Sequence, residues 1–320
     1  MINQLKELVS KNCVSGNERE LAAYIKAQIA PFADKVYEDT LGNLIAVRKG
    51  EGPKVMAMAH MDEIGLVASF VDEKGFIRVA AVGGVSPKKF ADRAVIFENG
   101  VKGVFVCGKD AKMDESFVDI GAKSRREALS RIEIGMTASF LSETFEAGER
   151  IVSGALDNRI GCFCLMEAFK KMRYNSCEFY AVFTVQEEVG LRGAKVSGYE
   201  ISPDVALAID VTLSGDYPDA DETTASLGEG CAIKMRDRSA ICSREVIEDL
   251  ENLASRKGIP VQRDVLSRGG TDIGSVQLLG SGAQVGGLSI PIRYCHSSIE
   301  MADRRDVEAT INLLVAYLEK

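Results

Sequence analysis

The chain has only two histidines among its 320 residues, and each stands near carboxylates. In "AMAHMDEIG", His60 and Asp62 lie two positions apart at the end of an apolar run. On a strand that spacing sends both side chains off one face. A metal-ligating imidazole usually donates its second ring N–H to a carboxylate, which fixes the tautomer, and Asp62 is placed for that task. Asp157 follows in "SGALDNRIGC", Glu187 and Glu188 close the apolar run of "FTVQEEVGLRGA", and Asp210 ends that of "PDVALAIDVT". His296 comes after an extended segment in "IPIRYCHSSIEM".

Taken singly, these residues have plain structural explanations. Asp157 reads as a helix N-cap, and one His-x-Asp pair as a satisfied core or surface histidine with an incidental aspartate. The repetition at strand ends is the stronger signal, because ligand sites in open α/β sheets lie outside the carboxyl ends of strands. Two imidazoles among several carboxylates suit zinc, cobalt or manganese, whereas an all-oxygen calcium site has no use for the histidines. Adjacent glutamates diverge on an extended backbone, so one can ligate a cation while its neighbour faces a reacting water. Two cations about 3.5–4 Å apart can share a carboxylate and a water, and a metal-free glutamate then carries protons.

The elements that must position these groups alternate. Ser15 and Asn17 are cap candidates for an opening helix with Leu21, Ile25 and Ile29 at fourfold spacing. "GNLIAVRKG" and "KVMAMAHMD" read as a hairpin or neighbouring strands around "GEGP". Farther on, the pattern predicts a helix over 158–173, strands over 178–186 and 204–210, and helices over 243–257 and 305–319. Ser243 and Gly258 bracket the fourth of these as cap and stop. Such alternation argues for an α/β fold with a mixed, largely parallel sheet flanked by helices. Between about Val67 and Val152 the texture changes to short β-like pieces punctuated by glycine, which reads as a small β domain inserted into the α/β unit. The expected division is therefore 1–67 with 153–320, interrupted by 68–152.

Composition narrows the chemistry. Hydrophobic residues make up 46% and charged residues 27%, ordinary globular usage. A net charge of −8 offers no basic field for a phosphate backbone, so nucleic acid is not an expected partner. No run approaches the ~18 consecutive apolar residues of a membrane span, and "MINQLKELVSKN" lacks the apolar stretch of a secretory signal, so the reading is cytoplasmic. The eight cysteines show no disulfide or CxxC spacing and read as reduced core residues. "RGGTDIGS" lacks the GK[ST] ending of a phosphate loop and is ordinary turn material; "SRREALSRIE" and "GDYPDADETT" read as solvated surface.

Taken in order, "AHMDEIG", "GALDNRIG", "FTVQEEVGLRGA", "AIDVT", "GGTDIGS" and "IPIRYCHSSIEM" resemble the dinuclear metallo-aminopeptidases that form tetrahedral (TET) particles, relatives of glutamyl and deblocking aminopeptidases. Some members of that family carry cellulase or endoglucanase names. The resemblance runs over nearly the whole chain, and the 95 positions from Asp62 to Asp157 leave room for the inserted domain typical of the group. It implies a zinc-peptidase-like sheet with a PDZ-like or barrel-like insertion used in dimerisation and assembly. It also implies Asp157 between two divalent cations, zinc before cobalt or manganese, with His60 and Asp210 on one side and Glu188 and His296 on the other. Glu187 would be the general base and Asp62 the carboxylate behind His60. The implied activity is removal of N-terminal residues from short peptides by a water activated between the two cations, in dimers building a dodecamer. The GGTDIGS loop would help form the substrate pocket.

Two other readings remain open on the residues alone. Paired carboxylates could serve a glycoside hydrolase as acid and nucleophile. The chain has no tryptophan to offer a sugar platform, and such an enzyme needs no histidines among its carboxylates. A non-catalytic peptide-binding relative would keep the fold, yet none of the six expected groups is missing.

Overall fold

The computed structural model describes every residue except 175, 219, 221 and 222. The acidic segment "GDYPDADETT" therefore lies partly outside the described residues. An eleven-stranded mixed sheet carries the chain, and its centre is four parallel strands in the order Glu178–Thr184, Lys54–His60, Val205–Leu213 and Gln284–Arg293. Their composition explains the position. "VALAIDVT" is buried at every residue, as expected for a strand covered on both faces rather than one alternating inside and out. Antiparallel strands extend the sheet on each side, Lys35–Glu38 and Leu44–Arg48 at one edge, Glu300–Asp303, Arg150–Ser153 and Phe145–Ala147 toward the other.

Helices Leu156–Lys171, Arg244–Lys257 and Arg304–Leu318 cover one face, with Phe163, Leu165, Phe169, Leu250 and Leu314 in a shared core. Arg192–Ile201 and Ile273–Val276 cover the other, around Met56, Met58, Val182 and Ala206. All five expected α/β elements are present, with ends displaced by a few residues. Leu44–Arg48 and Lys54–His60 are not neighbours, because Glu178–Thr184 lies between them and pairs with both. Gly258 does end its helix in a left-handed conformation (φ 66°), but Ser243 spends its hydroxyl on the Val285 N–H (2.9 Å) rather than on the helix.

Six strands, from Gly65–Val71 to Thr137–Phe140, close into a separate barrel. Leu66, Phe97, Phe105 and Val118 fill its interior, and Phe90 stacks on Phe140 at 4.0 Å. The strand Gly65–Val71 thus belongs to the barrel, while Phe145–Ala147 and Arg150–Ser153 pair within the main sheet. Glu63 sits where the chain enters the barrel and binds three parts of the molecule: its Oε1 accepts from Cys13 N–H, from Ser139 Oγ (both 3.0 Å) and from the fully buried Arg159 guanidinium (3.3 Å). No helix among the described residues is long and apolar enough to cross a membrane.

Candidate metal centre

Each of the four central parallel strands delivers a side chain to one cavity of about 750 Å³ at their carboxyl ends. His60 is the last residue of its strand. Asp210 lies inside its strand, which continues to Leu213 beyond the expected end. Glu187 and Glu188 follow a strand that stops at Thr184, and Gln186 turns the chain with φ 55°. They therefore lie beyond the strand and its alternation, and both carboxylates come within reach of His60 instead of diverging. His296 follows the fourth strand, itself in the left-handed region with φ 54°. Asp157 arrives from the helical side. It and Asn158 depart from helical geometry, and the Asn158 carboxamide, rather than the Asp157 carboxylate, caps the helix by accepting the Gly161 N–H at 3.0 Å.

Asp157 presents one oxygen to each imidazole. Its Oδ1 is 3.1 Å from His60 Nε2 and its Oδ2 3.3 Å from His296 Nε2. Asp210 Oδ1 lies 3.6 Å from His60 Nε2, and Glu188 Oε2 3.5 Å from His296 Nε2. Ligand bonds of about 2.0–2.2 Å at tetrahedral angles place neighbouring donors about 3.3–3.6 Å apart, so most of these separations are those of groups able to share a cation. Asp157, Glu187, Glu188 and Asp210 bring four carboxylates together around the two imidazoles, a donor set that divalent cations would suit.

The tautomer of His60 follows from its surroundings. Its Nδ1 is 3.1 Å from the carbonyl oxygen of Asp62, nearer than the Asp62 carboxylate at 3.5 Å. A carbonyl only accepts, so Nδ1 carries a hydrogen, and Nε2 is the nitrogen that faces Asp157 and would turn its lone pair to a cation. The Asp62 carboxylate is occupied elsewhere: it accepts the N–H groups of Glu187 (3.0 Å) and Glu188 (3.2 Å) and the Ser15 hydroxyl (2.6 Å). Behind the other half of the cluster, Glu300 accepts the N–H groups of Asp157 and His296, both at 3.0 Å.

Burial and charge set the proton affinities. Burial pushes the Glu187 carboxyl well above the ordinary range, reinforced by Asp210, Asp272 and Glu188 against the pull of His60. Burial works against a charged His60, but Glu187, Asp157, Asp210 and Asp62 outweigh it and hold its pKa well above the usual value. His296 is raised to about 11 in the same way, with Asp157 and Glu188 overcoming burial. Asp157 goes downward, since its hydrogen bonds to both imidazoles exceed the burial cost. The cluster thus has a high affinity for positive charge.

Six of the seven residues expected at the site line the cavity and the seventh, Asp62, lies behind His60; sequence reasoning passed over others. Glu300 was within a quoted motif, its only signal the four-residue spacing from His296. Asp272 of "GGTDIGS" is buried against Thr184 Oγ1 at 2.6 Å, while Arg268, Gly269 and Gly270 of the same loop line the cavity. Six cysteines are buried as expected of reduced core residues, but Cys107 and Cys295 are not, and Cys295 lines the cavity. Lys89, from the barrel, lines it too and donates to the Cys295 carbonyl at 2.9 Å.

A parallel α/β centre with an acidic, imidazole-bearing cavity beyond its strand ends, joined to a closed barrel, places the chain among the aminopeptidases. The chain belongs to the M42 glutamyl aminopeptidase family, whose model matches residues 42–313. A relative from Acetivibrio thermocellus, itself bearing only a provisional aminopeptidase name, is 44% identical over 321 residues, covering 98% of this chain and 97% of its own. The solved aminopeptidase of the archaeon Desulfurococcus kamchatkensis is 38% identical, with a TM-score of 0.96 over 100% of this chain and 94% of that one. The Pyrococcus horikoshii TET1 peptidase, described as assembling into a tetrahedron or a large octahedral shell, is 32% identical with a TM-score of 0.90, covering 99% and 98%.

Proposed function

We propose that the chain is a metal-dependent aminopeptidase that removes N-terminal residues from short peptides at the strand-end cavity. The observation that carries this reading is Asp157 facing both imidazoles, one oxygen to each, in a site whose donor set would suit divalent cations. His60 and Asp210 would hold one cation and Glu188 and His296 the other, with Asp157 between. The mixed nitrogen and oxygen donors suit zinc first, then cobalt or manganese. Such cations supply Lewis acidity, lowering the pKa of water and polarising a peptide carbonyl.

The protein's own groups do the rest. Glu187 takes a proton from the attacking water on a carboxylate oxygen, and the same oxygen returns it to the departing amine nitrogen. Its carboxyl, pushed well above the ordinary range by burial and by neighbouring carboxylates, is able to hold that proton between the two steps. Asp62 positions Glu187 and Glu188 by holding their backbone, and fixes the His60 tautomer through its carbonyl.

In this reading the chain on either side of the barrel forms the catalytic unit, and the inserted barrel, from Gly65–Val71 to Thr137–Phe140, serves dimerisation and assembly. The chain works in the cytoplasm as a homo-oligomer, dimers building a tetrahedral dodecamer; the assembly of the TET1 relative into a tetrahedron supports the oligomer. The test is a panel of aminoacyl p-nitroanilides and blocked peptides, assayed after chelation and after readdition of each metal. Glu187→Gln is expected to retain two metal equivalents while losing most turnover, and His296→Ala to lose metal. Normal cleavage by Glu187→Gln overturns the assignment of the base.

A further inference from the structure

Adjacent residues on extended backbone point to opposite faces. Cys295 and His296 break that rule. Tyr294 (φ 63°) and His296 (φ 54°) both lie in the left-handed region, and the two side chains turn toward the same carboxylate. A non-glycine residue there is strained, so the surroundings must enforce it. Lys89 holds the Cys295 carbonyl, and Glu300 the His296 N–H.

The result is a three-donor corner. Asp157 Oδ2 lies 3.3 Å from His296 Nε2 and 3.5 Å from Cys295 Sγ, and the three donors are within 4.8 Å of one another. A tetrahedral cation with bonds of about 2.3 Å to sulfur and 2.0–2.1 Å to nitrogen and oxygen requires edges of about 3.5 Å for S···O and 3.3 Å for N···O. Both separations match. An S–H···O hydrogen bond accounts for the sulfur distance alone; it does not account for the shared corner with the imidazole.

We infer that Cys295 is a sulfur ligand to the cation held by His296 and Asp157, giving one half of the centre a donor the other half lacks. This rests on the metal-dependent reading above. On coordination the S–H bond breaks, sulfur donates as the thiolate, and the proton leaves through the open cavity to water. None of the other seven thiols lines the cavity: six are buried and the seventh, Cys107, lies in the barrel region. A sulfur donor shifts the preference of that position toward zinc, cobalt and cadmium and away from manganese and magnesium.

The experiment is electronic absorption of the full-length protein loaded with cobalt(II), with the cobalt content measured independently. A near-ultraviolet sulfur-to-cobalt charge-transfer band is expected in the wild type and in Cys107→Ser, and its loss in Cys295→Ser. Competition with a chelator should show that Cys295→Ser binds cadmium at least about tenfold more weakly. Two bound cobalt equivalents without the band, or a band that survives in Cys295→Ser, overturns the ligand assignment and leaves the metal-dependent reading intact. Failure of the wild type to take up cobalt overturns both.

Discussion

Asp62 and Glu300 perform the same operation on opposite sides of the cluster. Asp62 accepts the backbone N–H groups of Glu187 and Glu188, and Glu300 those of Asp157 and His296. Between them the two carboxylates fix three chain segments, so four cluster residues are held by their main chain before any side chain is positioned. Replacing one acceptor oxygen by an amide NH₂ puts a donor against a donor. Asp62→Asn and Glu300→Gln should each weaken metal retention by about 10–100-fold. Chelator competition measures this, and far-ultraviolet circular dichroism should stay unchanged.

Gly84 tests the contact between barrel and cluster. A Cβ there would stand 2.6 Å from His296 Nδ1 and 2.9 Å from Cε1, so Gly84→Ala must displace the ring. The variant should melt close to the wild-type temperature yet bind less metal and turn over more slowly. Wild-type metal content would contradict the close approach.

Glu63 tests the joint between barrel and sheet. Removing its carboxylate leaves the fully buried Arg159 without an anionic partner and strips an acceptor from Cys13 and Ser139. Breaking a buried pair from one side costs about 3–5 kcal/mol. Glu63→Ala should lower stability by that amount in denaturant titration, a far larger change than an exposed pair such as Arg244–Glu248 would give.

A pH dependence follows from Asp216, which anchors Arg293, three residues before His296, by two hydrogen bonds of 2.9 and 2.8 Å. Burial raises the Asp216 pKa, but Arg293, Ser214 and the Leu227 N–H outweigh it and bring it from 3.8 to about 2. A depressed carboxylate adds stability that is complete above the unfolded value of 3.8 and disappears as pH falls through about 2. Asp216→Asn should therefore destabilise the protein by about 1 kcal/mol at neutral pH, after allowance for solvent screening. Thermal melts across this acid range should show the gap between variant and wild type closing.

The chemistry was more legible in the sequence than the framework. His60, Asp157, Glu187, Glu188, Asp210 and His296 stand out because each interrupts or ends an apolar stretch with a charged or imidazole group. Their convergence follows from the rule that parallel strands expose their carboxyl ends together. The insertion of Glu178–Thr184 between Leu44–Arg48 and Lys54–His60 was hidden, since all three are short apolar runs and pairing is decided by contacts distant in sequence. The sequence interval read as a β insertion also includes Phe145–Ala147 and Arg150–Ser153; strand texture is the same in a barrel and at a sheet edge. Glu300 and Cys295 escaped notice because their importance lies in backbone geometry: one accepts two main-chain donors, and the other is swung inward by left-handed neighbours.

Apart from Asp157, the cluster's imidazoles and carboxylates stand at or just beyond the ends of the central strands, whereas Arg238, Leu266 and Arg268, which also line the cavity, belong to connecting segments. Chemistry and taste are thereby uncoupled. Exchanging residues along those connections can retune which peptide end is welcomed while the hydrolytic apparatus beneath stays untouched.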